Sequence, residues 1–74
     1  MHKIENTLGQ SQFKALCLKY NSLIAEAEAN LQVYFENPVG IGEHSDMQPE
    51  YDRWVTQLTD ATDKFDTLNK FFQI

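Results

Sequence analysis

The chain has 74 residues, one cysteine and a formal net charge of −5. That length allows a single domain with a small core, whose apolar burial barely offsets the entropy of ordering. Cys17, standing alone, excludes an internal disulfide. An acidic chain with no basic stripe also lacks the phosphate-neutralising surface that nucleic-acid binding needs.

The first ten residues, MHKIENTLGQ, form a lead segment. They hold no apolar h-region, so no signal peptide is expected. The unpaired cysteine then points to a reducing cytoplasm. Ile4 and Leu8 stand one helical turn apart and predict a short helix or turn, closed by Gly9. Ser11 is the expected N-cap of a first long helix over 12–36. Its middle, Ala25-Glu26-Ala27-Glu28-Ala29, is made of strong helix formers. Asn37-Pro38 ends it, because the residue before proline is pushed out of the α region. A connection over 37–45 carries Gly40 and Gly42. Asp46 is the expected N-cap of a second helix over 46–72, with Pro49 early enough that its missing N–H costs nothing. The longest unbroken apolar run, Ala15 to Leu18, is far short of a membrane span.

Both helices carry an apolar heptad stripe. The first places Phe13, Cys17, Tyr20, Ile24, Ala27, Leu31 and Tyr34 at alternating spacings of 4 and 3. The second places Tyr51, Trp54, Leu58, Ala61, Phe65, Leu68 and Phe72 at alternating spacings of 3 and 4. Folding the chain at Gly42 and Glu43 pairs Tyr34 with Tyr51, Leu31 with Trp54, and so on to Phe13 with Phe72. Each pair of numbers sums to 85. This arithmetic predicts an all-α protein, an antiparallel two-helix hairpin with coiled-coil seam positions. Small Ala27 faces Leu58 and small Ala61 faces Ile24, so a shifted register would set large against large.

The first helix has more apolar residues than one seam can use: Leu16, Leu18, Leu23, Val33 and Phe35 lie outside it. A two-helix rod cannot cover a helix that is apolar on several sides. These five are the candidate self-association residues, and a dimer forming a four-helix bundle is the expected assembly. Charge placement favours an antiparallel dimer. Glu36, Glu43, Asp46, Glu50 and Asp52 account for the whole −5, while Lys3, Lys14 and Lys70 gather at the other end of the rod.

Chemistry finds little support. Glycines before a helix can present backbone N–H groups to an anion. However, Gly40 and Gly42 sit among five carboxylates and match neither a Walker loop nor a dinucleotide fingerprint. The simpler reading is a turn with Val39 and Ile41 plugging the end of the rod. Glu43, His44, Asp46 and Glu50 are donors in a short stretch, but they fit no EF-hand or zinc spacing. No metal and no cofactor is expected. Cys17 on the seam should be buried and inert, and His2 is remote from His44. Tyr20, Tyr34, Tyr51 and Trp54 read as packing, with their polar tips at the rim. Arg53, the only arginine, is either an anchor for a carboxylate or phosphate or a surface ion-pair partner of Glu50 or Asp52. No catalytic residue emerges, and no enzyme is expected. Gly40, Ile41, Gly42, Glu43, His44 and Arg53 are the candidate ligand or partner contacts.

The phrase Asn37-Pro38-Val39-Gly40-Ile41-Gly42-Glu43-His44, preceded by Ala29-Asn30-Leu31-Gln32-Val33-Tyr34-Phe35, resembles a family of short helical-hairpin proteins from tailed bacteriophages. In that family a proline–aspartate pair often follows the histidine; here Ser45-Asp46 stands instead, with the proline displaced to Pro49. The resemblance implies a small phage protein of the host cytoplasm. It also implies action by binding, either to a host or defence protein or to a nucleotide-like defence signal. A structural or assembly role in the virion also suits the fold.

Overall fold

A computed structural model describes residues 1–37 and 46–74. Among these residues four elements follow one another: strand β1 (His2–Lys3), helix α1 (Thr7–Glu36), helix α2 (Gln48–Phe71) and strand β2 (Phe72–Gln73). The helices pack along each other as an all-α hairpin in a rod of 54 × 16 × 15 Å.

α1 starts earlier than its periodicity suggests. Its N-cap is Asn6, with extended φ −69° and ψ 130°, and not Ser11, which lies inside the helix. The Asn6 side-chain oxygen accepts the Gly9 N–H at 3.0 Å, and its carbonyl accepts the Gln10 N–H at 2.9 Å. Gly9 is therefore no breaker. It sits in the first turn, where a cap satisfies its donor. A Cβ there would come within 3.1 Å of Ile4 Cγ2, so the small residue lets the lead segment fold against the helix start. At the far end the Asn37 N–H donates to the Val33 carbonyl at 2.9 Å and closes the last turn.

The start of α2 also differs. Met47, in helical conformation, occupies the N-cap position and makes no side-chain cap bond. Asp46, the expected cap, lies one residue outside, where its Oδ1 accepts the Gln48 N–H at 3.0 Å. Pro49 follows in the first turn, and Glu50 there and Lys70 in the last turn both suit the helix dipole.

The lead segment is divided: His2–Lys3 form a strand, while Thr7–Gln10, with Leu8, are already the start of α1 and not a separate short helix. β1 pairs in parallel with β2, His2 opposite Phe72 and Lys3 opposite Gln73. The Ile4 N–H extends this ladder to the Gln73 carbonyl at 2.7 Å, and the His2 and Phe72 rings lie 5.4 Å apart. The Gln10 side chain donates to the Ile4 carbonyl at 2.9 Å and ties this clasp to α1. Phe72 thus follows the end of the helix as a clasp residue in β2, 40% exposed.

The heptad stripes form the interface. All seven seam positions on α1, and all on α2 except Phe72, are buried or half-buried. Ala27, Leu31 and Trp54 form the core, with Tyr34, Tyr51 and Leu58 packed on it, and Ala61 is 2% exposed farther along. Ala27 is fully buried, as expected where two backbones approach closely. Only Ala27, Leu31, Trp54 and Ala61 are buried among the described residues, which leaves the hairpin a thin core of its own.

Candidate functional site

The loop end of the rod is built from aromatics. Tyr51, in the first turn of α2, stacks on Phe35 at 4.6 Å and meets Tyr34 edge-on at 6.2 Å. Its hydroxyl donates to the Tyr34 carbonyl at 2.9 Å. That carbonyl belongs to the last turn of α1, where helical acceptors have no partner of their own. Beneath lies Trp54, 8% exposed, whose indole Nε1 is buried and has no hydrogen-bond partner among the described residues rather than reaching the rim.

Arg53 points outward from this end with its side chain 67% exposed. Its guanidinium lies 4.7 Å from the Trp54 ring centroid, and one nitrogen is 3.9 Å from a Glu50 oxygen. Both contacts are weak at a surface. They hold the cation close to α2 as an ion-pair partner. Around it Glu36, Asp46 and Asp52 are exposed, so the described part of the loop end is acidic. Gly40, Ile41, Gly42, Glu43 and His44 lie outside the described residues. Among the described residues, no three or more His, Cys, Asp or Glu side chains converge as a metal site would require.

Midway along the rod a polar bridge crosses the seam edge. The Gln57 amide donates to the Leu23 carbonyl at 3.0 Å and to Glu26 Oε1 at 2.8 Å. Leu23 is half-buried beside this bridge and is not free surface. Cys17 is half-buried rather than sealed, and the Asn69 amide approaches its sulfur at 3.8 Å.

Toward the termini, Tyr20, Asp63, Lys64, Thr67, Leu68 and Phe72 line a groove of about 350 Å³. It joins aromatic walls to one cation and one carboxylate. No sequence signal marked it: one of its walls, Phe72, was expected in the helical seam and lies in β2.

The self-association candidates divide. Leu18 is 71% exposed, Phe35 64%, Val33 58% and Leu16 38%. Phe35 already stacks on Tyr51, and Leu16 borders the seam. Leu18 and Val33 stand on the side of α1 away from α2, and Leu8, in the first turn of the helix, is 66% exposed. Compared with protein-family models, curated proteins and solved structures, the chain matches none.

Proposed function

We propose that this chain is a non-enzymatic binding protein that self-associates and captures a second protein by surface contact. One observation carries the reading: the hairpin buries a thin core while large apolar side chains on α1, Leu18 and Val33 above all, stay open to water. A helix apolar on two sides is suited to a partner on the second. The acidic loop end, with Glu36, Asp46 and Asp52 exposed and Arg53 drawn toward Glu50, suits a basic patch on the captured protein. Taken with the phage-like loop phrase, the captured protein is a host or defence component met in the host cytoplasm. No helix among the described residues is long and apolar enough to cross a membrane.

The test is capture from bacterial lysate on immobilised wild-type chain and on an Asp46→Asn, Glu50→Gln, Asp52→Asn variant. A protein retained by the first, lost from the second and released by moderate salt supports the reading. Identical retention on both contradicts it.

The terminal groove supports a second reading, a sponge for a nucleotide-like signal, in which Tyr20 and Phe72 flank a base and Lys64 meets phosphate. A ligand bound there raises the melting midpoint in a nucleotide panel, and an unchanged midpoint across the panel opposes this reading.

A further inference from the structure

α1 carries a second heptad stripe on the face turned away from α2. Ala15, Leu18, Ser22, Ala25 and Ala29 follow spacings of 3, 4, 3 and 4, and every one of them is exposed, as is Val33 at the edge of the stripe. At about 100° per residue these positions fall opposite Ala27 and Leu31. No charged residue interrupts them between Ala15 and Ala29, where the charges of α1 flank the stripe; Glu36, two turns on, is in line with it. Those flanks are segregated, with Lys14 and Lys19 in the first half and Glu26 and Glu28 in the second.

We propose that this outer face of α1 docks a second copy of the chain, the two α1 helices packing antiparallel with Leu18 seated over the partner's Ala29. The inference rests on the reading of the chain as self-associating, and adds the face, the direction and the register. In this register the paired numbers sum to 47, Ser22 meets the partner's Ala25 at the two-fold axis, and Leu18, the one large residue between Ala15 and Ala29, faces small Ala29. Lys19 then stands beside the partner's Glu26, twice by symmetry. A parallel pairing instead sets Leu18 on the partner's Leu18 and brings Lys14 toward the partner's Lys19. Size and charge therefore both select the antiparallel copy.

The overlap covers residues 11–36, a contact about 38 Å long at 1.5 Å per residue. With helices about 10 Å wide, its footprint is on the order of 400 Å² per chain. That is about half of the ~800 Å² per partner of a standard interface, so the dimer is weak and concentration-dependent. The product is a flat row of four helices with both α2 helices outside. The acidic loop ends stay open, and the expected four-helix bundle does not form.

Sedimentation across a micromolar concentration series tests this, with helicity recorded alongside. Wild type passes from monomer to dimer. Leu18→Asp, at a position that is 71% exposed in the single chain, keeps its helicity and weakens the dimer by roughly tenfold or more. Lys19→Glu weakens it as well, and adding Glu26→Lys restores it. Direction is read by oxidation in a Cys17→Ser background. Ser22→Cys cross-links, whereas Ala29→Cys, whose two copies lie far apart in the antiparallel dimer, does not. Efficient cross-linking through Ala29→Cys overturns the direction. A dimer indifferent to Leu18→Asp overturns the face while leaving self-association standing. A monomer at every concentration overturns both.

Discussion

The Tyr51 hydroxyl reaches across the hairpin and donates to the Tyr34 carbonyl at 2.9 Å. One side chain thereby satisfies an orphan acceptor of the opposite helix end and keeps its ring in the seam. Tyr51→Phe retains the stack on Phe35 and deletes only this bond. It should cost about 1 kcal/mol and lower the melting midpoint by about 4–8 °C in a domain of this size. An unchanged midpoint would mean that water replaces the bond at no cost.

Close approach of the helices at mid-rod makes a second prediction. Ala27 has no exposed surface, whereas Ala29, two residues on, is exposed. Ala27→Leu should overpack the seam and cost about 1–3 kcal/mol. Ala29→Leu should leave the unfolding free energy of the dilute chain within about 0.5 kcal/mol. Chemical denaturation of both variants checks the contrast, and equal losses would contradict it.

A third prediction separates two candidate caps. Asn6→Ala removes the acceptor of the Gly9 N–H and should cost about 0.5–2 kcal/mol. Ser11→Ala replaces an exposed residue inside α1 and should be neutral or slightly stabilising. Amide exchange locates the effect: Asn6→Ala should speed exchange at Gly9 and Gln10, and also at Ile4, whose N–H is held by Gln73 at 2.7 Å.

The Gln57 bridge yields a fourth. Gln57→Ala forfeits the bonds to the Leu23 carbonyl and to Glu26 and should cost about 1–2 kcal/mol. A double-mutant cycle with Glu26→Ala should return a coupling of at least about 0.5 kcal/mol. Strict additivity would show that the two side chains do not meet in solution.

These contrasts show what the sequence could and could not display. Seam residues such as Leu31 and Trp54 were legible because seven-residue spacing is carried by many side chains at once, and a wrong register breaks several pairs together. The β1–β2 clasp was not legible, since two-residue strands have no period and His2 and Phe72 lie 70 positions apart. Gly9 resembled a stop, and so the helix start at Asn6, three residues earlier, went unread and Ser11 stood in its place; in a first turn glycine costs little, because the cap already holds its N–H. Gln57 gave no signal, as its role depends on which carbonyl lies across the seam. Of the candidate site, Arg53 is legible as the partner of Glu50, and the exposure of Leu18 and Val33 follows from their places off the seam. The proposed docking stripe carries little apolar signal, because most of its members are alanine and serine.

The most direct test of the whole account is a filtered nuclear Overhauser experiment on a sample mixing isotope-labelled and unlabelled chains. Leu31 methyl protons should contact the Trp54 indole within one chain, and Tyr20 should contact Phe65 in the same way. The same contacts found only between chains, or missing from both sets, would contradict the hairpin and every surface derived from it.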